Sequence, residues 1–100
     1  MIRVTTPRHT FTFPTDPSEY VKILVTYYQA GQIVLEKTEE DMTFDNGNKA
    51  YYRLSQEETK LFAPCRDVKI QVRVKTADGN AMASDYILMR VEDVLNDDIL

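Results

Sequence analysis

The sequence predicts an all-β protein, a two-layer antiparallel β-sandwich of about seven strands with one short helix at 55–62. Three observations lead there. Apolar residues recur with a period of two along most of the chain, the mark of strands with one face in a core and one in water. The turn dipeptides Asn46-Gly47 and Asp78-Gly79 separate such runs at hairpin spacing. A single sheet with this much apolar surface would leave one face in solvent, so a second layer has to cover it.

The elements follow in order. HTFTF (9–13) alternates Phe11 and Phe13 with threonines, as a half-buried strand does. Pro14 and Pro17 end it, and FPTDPSEY reads as a turn with room for one turn of 3₁₀ helix. YVKILVTYYQ (20–29) is the strongest strand, with Val21, Ile23, Val25 and Tyr27 on the face assigned to the core. After Ala30-Gly31, QIVLEKT (32–38) returns as its hairpin partner, with Ile33 and Leu35 on one side. Glu39, Glu40 and Asp41 form a solvated turn, and MTFD (42–45) a short strand. Asn46-Gly47 then supplies a type I′ turn into KAYYRL (49–54), where Tyr52 and Leu54 share a face.

DVKIQVRVK (67–75) alternates throughout. Val68, Ile70, Val72 and Val74 point one way; Lys69, Gln71, Arg73 and Lys75 point the other. A slip of one residue would expose all four aliphatics, so its register is firmly set. MASDYILMRVEDV (82–94) is the last strand, apolar on both faces from Tyr86 to Met89. Short strands at this spacing suit an immunoglobulin-like sandwich, although the cysteine pair and tryptophan of antibody domains are absent. A small closed barrel is the alternative. The chain reads as one domain, 1–100, with a short N-terminal arm (1–7) and a C-terminal tail (95–100).

LSQEETKLF (54–62) is the one segment with a helical signature. Ser55 followed by Glu58 is a capping box: the hydroxyl accepts from the Glu58 amide and the Glu58 carboxylate accepts from the Ser55 amide. Glu57 and Glu58 also complement the positive end of the helix dipole. Leu61 or Phe62 is expected to plug the end of the sandwich, and Pro64 stops the helix. Read as a catalytic pair, Glu57 and Glu58 would diverge by about 100° around the helix axis and would not converge on one atom.

Composition narrows the function. The 43% hydrophobic and 28% charged fractions are those of an ordinary globular chain, which argues against disorder. Lys and Arg are scattered rather than massed, so direct nucleic-acid binding is not expected. The start MIRVTTPRHT lacks the apolar core of a signal peptide, and no apolar run approaches the roughly 20 residues of a membrane helix. Cys65, the one cysteine, reads as a small half-buried residue, and the one histidine, His9, lies far from it in sequence. Asp41, Asp45 and Asn46 lack the spacing of a calcium loop. No nucleotide, hydrolase or zinc-protease motif occurs. No catalytic residue, cofactor or metal is therefore expected.

The candidates that remain are contact residues. Tyr27-Tyr28 and Tyr51-Tyr52 each put one ring on each sheet face, so one of each pair belongs to the core. The outward pair, read as Tyr28 and Tyr51, are candidates for stacking or partner contact. Ile2 and Val4 at the front and Ile99 and Leu100 at the back lie outside the strand pattern and suit an arm added to a neighbour.

FTFPTDPSEYVKILVTYYQAGQIVLEKT, LSQEETKLF and VKIQVRVKTADGNAMAS together span most of residues 9–90. In these stretches the chain resembles small virion structural proteins of phages and prophages of Gram-positive bacteria. The resemblance implies a non-enzymatic structural or assembly component of a phage head or tail. Its partners would be other virion proteins or copies of itself, and its location the virion, assembled in the bacterial host cytoplasm. The alternative is a soluble β-sandwich binding module that recognises a carbohydrate or peptide through a tyrosine-lined face.

Overall fold

A computed structural model describes residues 1–100. Its strands are β1 (Arg8–Thr12), β2 (Lys22–Gln29), β3 (Gln32–Thr38), β4 (Thr43–Phe44), β5 (Lys49–Arg53), β6 (Asp67–Lys75), β7 (Ala81–Ala83) and β8 (Ile87–Arg90). The one α-helix, α1 (Gln56–Lys60), lies between β5 and β6. The strands form two antiparallel sheets. The first has the order β1-β5-β4; the second runs β3-β2-β6, with β7 and β8 both on the free edge of β6. One core joins them: Phe13, Ala50, Tyr52 and Leu54 from the first side meet Ile23, Val25, Tyr27, Val68, Ile70 and Val72 from the second.

Three turns set this topology. Ala30 and Gly31 both have positive φ, at 52° and 80°, which is the type I′ geometry that matches strand twist. In the β6–β7 turn, Thr76 N donates to Asn80 O and Gly79 sits at φ 93°, the left-handed position of a three-residue hairpin. Asn46-Gly47 departs from the expected type I′ turn: Asn46 has φ 67° but Gly47 is not left-handed. The Asp45 carboxylate explains this, since it accepts from the amides of Gly47 and Lys49 and makes a wider Asx-type loop.

The last strand is two strands, which raises the number to eight. Ser84 causes the break. Its hydroxyl accepts from the Val72 amide, while its own amide donates to Val72 O, so a side chain takes over part of the ladder. Ile33 and Leu35 do not share a face, because a bulge between Tyr27 and Tyr28 sets Leu35 opposite Tyr27 and Ile33 opposite Tyr28. Val21 is exposed rather than core; Tyr20 turns in instead, tilted against Phe13 at 5.9 Å. Cys65 is exposed, not half-buried, in the turn two residues before β6.

The α1 capping box forms as expected, with Ser55 Oγ accepting from Glu58 N at 3.1 Å and Glu58 Oε1 accepting from Ser55 N at 2.9 Å. Of the two candidate plugs, Phe62 is buried against Tyr27 and Leu61 is exposed. The acidic turn Glu39–Asp41 is a 3₁₀ turn with a box of its own, Thr38 and Asp41 exchanging backbone and side-chain bonds.

The N-terminal segment is docked. Arg3 N donates to Glu92 O and Glu92 N to Met1 O, so the segment runs beside the end of β8 as a short parallel ribbon. Thr59 on α1 bonds both the amide and the carbonyl of Thr5.

Candidate functional site

The sequence candidates separate. Tyr28 is 40% exposed on the outer face of the second sheet, whereas Tyr51 lies on the outer face of the first under the Arg8 guanidinium, 4.3 Å from its ring centroid. Ile2 is exposed beside Glu92; Val4, at 7%, is buried, with φ 59° turning its side chain inward. Leu100 is fully exposed, and its backbone is tied to the Gln56 carboxamide at 2.8 and 3.2 Å. Ile99 is exposed beside it. The structure brings none of these six into a common cluster.

A different set does converge. On the outer face of the second sheet, Thr26, Tyr28, Ile33, Lys69, Gln71 and Tyr86 line a shallow cleft of about 350 Å³. The Lys69 ammonium lies 5.4 Å from the Tyr86 ring centroid. Each member has a local cause. The bulge turns Ile33 outward next to Tyr28, strict alternation turns Lys69 and Gln71 outward, and the break at Ser84 frees Tyr86. The arrangement offers two aromatic walls, an ammonium donor and a carboxamide, which suits stacking and hydrogen bonding.

The cleft continues into the β7–β8 edge. Tyr86 and Leu88, each 63% exposed, carry it outward, while Met82 and Ile87, about half exposed, lie on the inner side of the same edge. β7 and β8 have no further strand beyond them, except where Met1–Arg3 covers the 90–92 end. Apolar side chains on an unpaired strand are an invitation to a partner. On the inner side of the same edge, Phe11, Phe13 and Tyr20 face Val74, Met82 and Ile87 across a mostly apolar cleft of about 420 Å³ between the two sheets. Sequence reading missed Tyr86, Ile87 and Leu88 as surface, because a strand apolar on both faces looks like a central one. The signal was Ser84-Asp85 beside them, a poor pair for a central strand.

Charge is segregated as well. Lys22, Lys69, Arg73, Lys75 and Arg90 project from the outer face of the second sheet, against only Glu36 and Asp67. Lys22 stands directly opposite Lys75. The remaining carboxylates sit in turns, in α1 and in the tail.

The polar groups inside the molecule have structural partners. His9 Nδ1 lies 2.6 Å from the Tyr27 hydroxyl, which lies 2.5 Å from that of Tyr52. Burial pushes both phenols far above their usual range and the His9 imidazole below its own. Every proton is used when Tyr52 donates to Tyr27 and Tyr27 donates to a neutral His9. Burial alone would raise the Glu58 carboxyl, but the Lys37 ammonium and the Ser55 amide hold it below its usual range. Glu58 thus links β3 to α1 through Lys37. No group of three or more His, Cys, Asp and Glu side chains is placed to hold a metal ion. No helix is long and apolar enough to cross a membrane.

Comparison with protein-family models, with curated proteins and with solved structures returned no match.

Proposed function

We propose that this chain is a non-enzymatic structural or assembly component of a phage or prophage particle, on an immunoglobulin-like sandwich, and works by protein–protein contact. The observation that carries this reading is the exposed apolar edge formed by Met82, Ile87 and Leu88 on strands with no outer neighbour, with Tyr86 in the break between them. Such an edge supplies both backbone donors and acceptors and side-chain anchors, the two requirements of strand addition. The resemblance of the strand and turn residues to small virion proteins supports the same role. The test is physical. Gradient-purified particles from cells carrying the gene contain the protein at fixed stoichiometry, and Leu88→Lys removes it from them. Its absence from such particles overturns the reading.

The cleft between Tyr28 and Tyr86 favours a second reading, a binding module for a carbohydrate or peptide. Tryptophan-free aromatic walls with Lys69 and Gln71 between them fit a sugar ring or a planar side chain. Glycan-array binding that Tyr86→Ala abolishes would support it.

A further inference from the structure

The outer face of the second sheet carries Lys69, Arg73 and Lys75, none of which takes part in an ion pair, and Arg90, which stands opposite Asp67 in the ladder. Lys22 reaches Glu39 at 3.5 Å but still faces Lys75 across the ladder. Like charges directly opposite each other on a sheet are unfavourable, so this face gains from an anionic cover. It also has an apolar centre, where Tyr28, Ile33 and Tyr86 wall the outer cleft.

The same chain carries the complementary surface. In the segment 94–100, Asp97 and Asp98 make no ion pair, and Leu95 and Leu100 are fully exposed. The Gln56 carboxamide holds Leu100 against α1. The segment is therefore fastened to the helix, with its two carboxylates and two leucines presented to solvent. The segment thus offers acid flanked by apolar side chains, and the sheet face offers base around an apolar cleft.

We propose that a second copy of this chain docks its 94–100 segment on the outer face of the second sheet. Asp97 and Asp98 of one copy meet Lys69 and Arg73 of the next, and Leu95 enters the cleft between Tyr28 and Tyr86. The two patches are different surfaces, so the contact is heterologous and propagates into a ring or a filament of copies. This rests on the assembly reading above and names self-association as the contact.

Sedimentation velocity of the whole chain tests it, with a face variant (Lys69→Gln, Arg73→Gln) and a tail variant (Asp97→Asn, Asp98→Asn). The wild type shows an average mass that rises with concentration at about 50 mM NaCl, and raising the salt to about 500 mM weakens association at least about tenfold. Each variant alone is monomeric, with an unchanged circular dichroism spectrum. An equimolar mixture forms a dimer and nothing larger, because the face variant still has its tail and the tail variant still has its face. A monomeric wild type, a tail variant that associates like the wild type, or a mixture that stays monomeric each overturns the proposal. A wild type that stays monomeric while the chain is present in purified particles removes this contact and leaves the assembly reading standing. Self-association with no chain in particles does the reverse.

Discussion

Gln29 and Ala63 bind each other twice: the Ala63 amide donates to Gln29 Oε1 at 2.7 Å, and Gln29 Nε2 donates to Ala63 O at 3.0 Å. Gln29 is 4% exposed at the end of β2, and this closed pair fastens the α1–β6 connection to the second sheet. Gln29→Leu keeps the volume but leaves both Ala63 groups without a partner. A loss of about 2 kcal/mol in urea denaturation is expected. A change below a few tenths of a kcal/mol would show that water replaces the carboxamide.

Ala30 is an L-residue with a side chain at φ 52° in a two-residue turn. The left-handed conformation costs a non-glycine residue about 1 kcal/mol. Ala30→Gly is expected to raise stability by somewhat less than that, since glycine also loses more entropy on folding. Thermal unfolding reads it as a rise of a few degrees.

Ser55→Ala removes the α1 cap and is expected to cost about 1 kcal/mol. Glu57→Gln is expected to leave stability and particle incorporation unchanged, since Glu57 makes no bond to the cap. A Glu57→Gln protein that folds normally but fails to incorporate would assign that carboxylate a role in contact.

Stability depends on pH through His9. Its folded pKa is depressed below the ordinary 6.5, by burial first and by the N-terminal ammonium second. The neutral form is the one the fold prefers. The contribution is therefore complete above pH 6.5 and is lost as pH falls through the lower folded value. Denaturation midpoints measured from pH 7.5 to 5 should fall, and His9→Gln should flatten that part of the curve. Glu58, also depressed, acts in a lower window: its contribution is present above the ordinary 4.5 and is lost as pH falls through its folded value.

Leu88→Lys tests the exposed edge in isolation. Leu88 lies on the outer side of β8 opposite Lys69 and is mostly in solvent, so the melting temperature should move by no more than a few degrees. Loss of incorporation into particles at unchanged stability would locate the contact on this edge.

The sequence disclosed the parts of the fold ruled by local chemistry. The alternation of Val68, Ile70, Val72 and Val74 set β6 to the residue, because a two-residue period admits one register against a core. The Ser55–Glu58 box was legible for a similar reason: both partners lie within one turn. What stayed hidden depended on distant neighbours. The bulge that turns Ile33 outward exists only in the pairing of β2 with β3. The break at Ser84 depends on Val72, which lies across a hairpin. The cleft follows from both, so none of Tyr86, Lys69 and Gln71 stood out as a site beforehand. The docking of Met1–Arg3 against residues 90–92 was equally out of reach, since no local pattern joins the two ends of the chain.

The separation of charge also bears on handling. The chain carries a formal net charge of −4, yet the broad outer face of its second sheet is cationic and its carboxylates gather in turns, α1 and tail. Surfaces that meet the molecule flat-on meet the cationic side. Near neutral pH it should be retained on a sulfonated cation-exchange resin at low salt despite its sign, and should leave an anion exchanger at lower salt than a uniformly acidic protein of the same net charge.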